Sequence, residues 1–265
     1  MDILVAYLAA TVPTFLLVFA RTAGFFLQAP VFSNRLMPPN VRVSLMVGLS
    51  IAALAAMPSY VSVPNMLWAF IMLIMQEILV GALFGFASSI LFFAIQSAGE
   101  LAGVQSGMSA ASVLNPFTRS NVNAFGTLYF NLALLTFLVI GGHLWLLGAY
   151  MQTFALIPLG TFALTPAVMN HLVSMTGVFL VITLQLALPI LTVVLLADLG
   201  VGYMSKVSPQ ASSLTQDLIL IGKPVAGLSI LTILMPNLVS VIHGHTEQMI
   251  NNLNALMRAA STVSP

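Results

Sequence analysis

The chain contains no cysteine, which excludes disulfide bonds, thiol catalysis and cysteine-ligated metals. Charge is almost as scarce. Lys and Arg number 7 and Asp and Glu 6, so 5% of the 265 residues are charged, against about 25% in an ordinary soluble domain. So few ionic groups cannot cover the surface of a water-soluble protein of this length. The net charge of +1 leaves no basic face, which excludes nucleic acid as a partner. The basic start of a cleaved signal peptide is also missing. The chain opens Met1-Asp2, and Arg21 interrupts its first apolar run, so that helix is expected to stay in the mature protein.

What is present is apolar side chain, 60% of the sequence. It falls into six segments: Ile3–Leu27; Val41–Met57, closed by Pro58; Asn65–Ser97; Val122–Ile157, closed by Pro158; Ala167–Met204, containing Pro189; and Leu218–Ile242, containing Pro236. A seventh, more polar stretch, Thr246–Ala260, places Met249, Ile250, Leu253, Leu256 and Met257 at helical spacing and is expected to form an amphipathic C-terminal helix. The third, fourth and fifth segments exceed the roughly 20 residues of a simple span. A straight helix of about 35 residues would be roughly 50 Å long. The fold expected is all-α and polytopic in a membrane, one domain over residues 1–265 with no internal repeat.

Basic residues favour alternate loops: Arg35 and Arg42 flank the first, Arg119 lies in the third, and Lys206 and Lys223 flank the fifth. The loops Pro58–Pro64 and Pro158–Pro166 have none. The positive-inside rule then puts the odd loops in the cytoplasm and both termini on the outer, periplasmic side.

Few residues carry chemistry. The stretch Gly99–Asn123, opening GELAGVQSGMSAASVLNPFTRSN, sits between the third and fourth segments. Gly99, Gly103 and Gly107 recur at helical spacing, where another backbone could approach closely. Beyond Met108 the composition turns small and polar, and Asn115-Pro116 stops any helix. A surface loop and a re-entrant segment lining a pore both fit. Gly81 and Gly85 form a second small-residue pair for helix packing. Glu77, one turn before Gly81, is a carboxylate in an apolar helix, where such groups are paired or functional. Arg21 is its counterpart, either paired with Glu77 or extended to a membrane interface. Asp198 is either a proton carrier or a helix-end residue facing a polar cavity. His243 and His245 lack the spacing of a helical zinc pair, and His143 has no carboxylate near it in sequence. No metal site, cofactor or catalytic constellation is expected.

In order along the chain, several motifs resemble the family of FliR, the flagellar export-gate protein, and its injectisome counterpart SctT. They begin with ARTAGFFLQAPVFSNRLMPPNVRVSL (Ala20–Leu45), carrying Arg21, Pro30, Phe32, Pro38 or Pro39, and Arg42. QEILVGALFGF (Gln76–Phe86) and GELAGVQSGMS with its following x-Pro come next. Gly141–His143, Ile157–Gly160 and Ser208–Gln210 complete the order.

The resemblance implies a non-enzyme: one copy of this chain with several copies of FliP and FliQ homologues, built as long, kinked helical hairpins packed in a hetero-oligomeric export gate. FlhB associates with such a gate, an FlhA ring lies below, and unfolded flagellar substrates pass through its channel. Its place would be the bacterial inner membrane, within the flagellar basal body. The family's central loop plugs the closed channel. That role maps here to roughly Gly107–Asn121, with Met108 and Phe117 as occluding side chains and Ser109, Leu114, Asn115 and Pro116 between them. Two departures bear on it: Asn115 stands where the family commonly has Asp, and Ala110-Ala111 where a bulky aromatic is common, which shifts the expected closure to Leu114 or Phe117. A third, the polar turn Ser212–Asp217 after Pro209-Gln210, bears on the local helix boundary. The competing class is a stand-alone proton-coupled secondary transporter using Glu77 and Asp198, which predicts paired broken helices. An intramembrane enzyme is a third class, without any nucleophile or metal set to support it.

Overall fold

The computed structural model describes residues 2–34, 37–57, 66–107, 124–207 and 212–261. Among them every regular element is an α-helix: α1 (Asp2–Gln28), α2 (Pro30–Ser33), α3 (Pro39–Ala56), α4 (Leu67–Gln105), α5 (Ala124–Val139), α6 (Gly142–Leu156), α7 (Pro166–Val207) and α8 (Ser212–Ser261). Proline opens α2, α3 and α7, where its missing N–H costs nothing and its fixed φ suits the first turn.

Three boundaries differ from the sequence reading. First, α4 does not stop near Ser97 but runs 39 residues to Gln105. Both glycines of GELAGVQ, Gly99 and Gly103, are therefore helical, because Glu100, Leu101, Ala102 and Gln105 are good helix formers. Ser106 and Gly107 close the helix: the Gly107 N–H bonds the Val104 carbonyl at 3.1 Å, and Gly107 takes a φ of +75°. Second, the segment Val122–Ile157 is two helices. They break at Ile140-Gly141, where Gly141 also has a φ of +75°, a conformation that side chains resist. Third, the sixth segment and Thr246–Ala260 are one helix. α8 runs 50 residues through Pro224 and Pro236, and the polar Ser212–Asp217 lies inside its first turns. α7 likewise continues through Pro189. Prolines are tolerated inside apolar helices when neighbours satisfy the freed carbonyls.

Among the described residues, four helices are long and apolar enough to cross a membrane: Thr11–Gln28, Pro39–Ala56, Leu67–Gln105 and Pro166–Val207, with α5 and α6 giving a fifth if they act as one broken span. The chain is an all-α polytopic membrane protein.

The helices divide between two compact units. The first contains Met1–Ile90, Gly141–Thr176 and Glu247–Pro265, and the second contains Leu91–Ile140 and Gly177–Thr246. In the first, the core is aromatic. Phe25 stacks on Tyr150 with ring centroids 4.5 Å apart, and Phe26 stacks on Phe32 at 4.5 Å. α1 and α4 touch through backbone. A Cβ at Gly81 would overlap the Arg21 carbonyl oxygen, one at Gly24 the Ile78 oxygen, and one at Gly85 would lie 2.7 Å from the Phe25 oxygen. Such approach is what small residues permit between apolar helices.

In the second unit, Phe92 meets Phe137 edge-on at 5.2 Å, and the Thr183 hydroxyl donates to the Ala94 carbonyl at 3.2 Å. Gly99 is buried against α5, where a Cβ would sit 2.7 Å from the Phe125 oxygen. Gly103 is buried as well.

Candidate functional site

The first unit holds a cluster of polar groups that an apolar core should avoid. Arg21 and Glu77 are both fully buried. The Arg21 Nε donates to Glu77 Oε2 at 2.6 Å, pairing α1 with α4. Its Nη1 donates to two carbonyls at the end of α6, Ile157 at 2.9 Å and Thr153 at 3.2 Å, and its guanidinium lies 4.8 Å from the Phe154 ring centre. The last carbonyls of a helix are the negative end of its dipole, so a cation there is favoured.

Glu77 Oε1 accepts a second bond, 2.7 Å from the Gly160 N–H. The neighbouring Gln76 amide donates to the Phe162 carbonyl. The α6–α7 connection, residues 157–165, is therefore held at three backbone atoms by side chains of α1 and α4. Arg21 does not extend to an interface, because paired and buried it has no water to reach.

Beside this clasp runs a second network. The Tyr150 hydroxyl lies 2.9 Å from that of Thr22, and Ser50 donates to Thr22 at 3.1 Å. Thr22 in turn donates to the Val18 carbonyl at 2.8 Å. Consecutive residues of α1 thus bind α4 and α6 through Arg21, and α3 and α6 through Thr22. Tyr150→Phe is expected to cost about 1 kcal/mol by removing one of these bonds. A thermal-shift measurement on the detergent-solubilised protein, against the parent, reads it.

In the second unit, Asp198 of α7 pairs with Lys223 of α8, their side chains 41% and 19% exposed. Asp198 therefore has a cationic partner on α8. Among the described residues, no group of His, Asp and Glu could hold a metal ion. Met108, Ser109, Leu114, Asn115, Pro116 and Phe117 lie outside the described residues, and Gly107 is the helix-closing residue just before them. Sequence reasoning does not single out Thr22, Ser50, Gln76, Tyr150 or Gly160. The signals that point to the cluster are Arg21 and Glu77, charged residues in apolar segments for which a mutual pair is one of the readings.

A model of the family described as bacterial export proteins, family 1, matches residues 12–249. The chain belongs to this family. The matched range of this export protein includes Arg21, Glu77, Gly81, Gly85, Asp198 and the whole 107–121 stretch. It is 31% identical over 238 residues to the flagellar biosynthetic protein FliR of Escherichia coli strain K12, covering 89% of this chain and 88% of that one. With the FliR of Bacillus subtilis strain 168 it shares 27% over 204 residues, 75% of this chain and 77% of the other. It is also 28% identical over 199 residues to the Yop proteins translocation protein T of Yersinia pestis, covering 74% and 76% of the two chains. The resemblance to the FliR/SctT family in the motifs is thus a family relationship. It makes this export protein part of a bacterial export apparatus and not a member of a known enzyme family.

Proposed function

We propose that this chain is one subunit of a type III protein export gate of the flagellar kind. It assembles with several copies of FliP and FliQ homologues in the inner membrane, beside homologues of FlhB and FlhA. Unfolded flagellar substrates cross through the shared channel, and the 107–121 stretch plugs it when closed. Both termini face the periplasm.

The observation that carries this reading is the family match over residues 12–249, together with flagellar relatives aligned along most of both chains. The uncovered apolar helices support it. Only 11% of the α3 span and 28% of the most apolar stretch of α7 are buried within the chain, which leaves wide apolar faces for lipid and neighbouring subunits. The carboxylates that a proton-coupled transporter would use are engaged, Glu77 by two donors and Asp198 by Lys223.

Deleting Met108–Phe117 is expected to raise leakage of small ions across the membrane while leaving the chain assembled with its partners. Leakage at the parental level would remove the plug assignment. Co-purification in mild detergent tests the gate itself. Two small hydrophobic partners in excess over this chain are expected, and a monomer that moves a small solute would overturn the reading.

A further inference from the structure

We propose that Asp198 and Lys223 form a latch between α7 and α8, and that the two helices part at Gly200, Gly202 and Gly222 when it opens. The pair lies in an apolar setting. On α7, Leu195, Leu196 and Leu199 around Asp198 are 57%, 62% and 63% exposed, and on α8 Val225 beside Lys223 is 57% exposed. A carboxylate among such neighbours needs a cation, and Lys223 supplies it across the helix pair.

This contact differs in kind from the Arg21–Glu77 pair. That pair is fully buried and braced by three backbone groups, whereas Asp198 is 41% exposed and its ion pair is the contact that offsets its charge. A half-exposed pair holds when its surroundings are dry and weakens when water or salt reaches it. Breaking this one ion pair frees both charges.

The glycines beside the pair also differ in kind from those of the helix crossings. At Gly24, Gly81, Gly85, Gly99 and Gly227 an added Cβ would strike a neighbour. At Gly200, Gly202 and Gly222 it would meet nothing within 4 Å. These three do not serve close packing inside the chain. Glycine is the poorest helix former after proline, so their effect is to soften both helices at the level of the pair. Pro224, directly after Lys223, removes one more helical hydrogen bond there. An ionic contact set between two softened helices holds one arrangement of the pair and permits another.

The absence of cysteine makes the test direct. Spin labels at Tyr203→Cys and Leu228→Cys, both exposed positions away from the pair, report the α7–α8 distance in the full chain extracted from membranes. The parent is expected to give one narrow distance distribution. Asp198→Asn and Lys223→Met should broaden it and add a longer-distance population, and the exchange Asp198→Lys with Lys223→Asp should restore it. Alanine at Gly200, Gly202 and Gly222 should narrow the distribution again in the Asp198→Asn background.

Unchanged distributions in the neutral variants, or no recovery on exchange, would overturn the latch. If the alanines leave the distance unaltered, the softening role is overturned. Should the charge variants not accumulate, the labelled parent decides. Raising salt from about 0.1 M to about 1 M shortens the Debye length from about 10 Å to about 3 Å and should broaden the distribution; no change would exclude the latch. The measurement reads one chain's internal geometry, so it stands apart from the gate assignment.

Discussion

Glu77→Ala is expected to destabilise the protein by about 3–5 kcal/mol, because it leaves the Arg21 guanidinium charged and unpaired in a dry core. Arg21→Ala should cost a similar amount, stranding the carboxylate with only the Gly160 N–H as a donor. The double replacement Arg21→Leu with Glu77→Leu should cost far less than the sum of the single changes, since two apolar side chains can fill the space without a stranded charge. Arg21→Lys is not a conservative change here. An ammonium on a flexible stem cannot reproduce the planar fork that reaches Glu77 and the Thr153 and Ile157 carbonyls at once. Denaturation of the purified chain in mixed detergent micelles, with membrane abundance as a parallel readout, completes the cycle. Additive costs in the double variant would show that the two groups do not act as a pair.

Gly81→Ala should be nearly as damaging despite adding only one methyl group. Its Cβ would overlap the Arg21 carbonyl oxygen and lie 2.8 Å from the Phe25 nitrogen, so it strikes backbone that has no rotamer to escape into. α1 and α4 would have to separate. Gly81 is one turn from Glu77, so the separation would also pull Glu77 away from Arg21. The expected cost exceeds the about 1–3 kcal/mol of ordinary overpacking. Gly48→Ala on α3 is the control: nothing lies within 4 Å of its Cβ, and the change should be neutral or stabilising by up to about 1 kcal/mol. Equal thermal stability of the two variants would show that the α1–α4 crossing is looser than the structure has it.

Hydropathy made the helices legible, along with the close-packing role of Gly81 and the oddity of Arg21 and Glu77 in apolar surroundings. It misplaced boundaries where composition and conformation part company. GELAGVQ groups in sequence with the small, polar stretch that begins beyond Met108, yet its residues favour helix and α4 continues through it. Gly141 carries no hydropathy mark at all, and only its positive φ shows that α5 ends before it. Pro189 and Pro236 read as boundaries or kinks, yet α7 and α8 continue through them. The clasp was half legible. The acid and base announce themselves, but the groups that complete them are the Thr153 and Ile157 carbonyls, 132 and 136 residues from Arg21. Backbone acceptors have no sequence signature. Lys223 could be read as a marker of topology, while its partnership with Asp198 depends on how α7 and α8 pair.

The clasp also sets a schedule for biosynthesis. Arg21 leaves the ribosome 56 residues before Glu77, and Glu77 leaves 83 residues before the Gly160 amide that completes its coordination. Through that interval the first helix carries a cation that hydrocarbon rejects. It must wait near the lipid surface or inside the insertion machinery, and α4 must later draw it in. A nascent chain that stops short of α4 would be left with an unanswered charge, a mark by which quality control could tell an unfinished subunit from one ready to assemble.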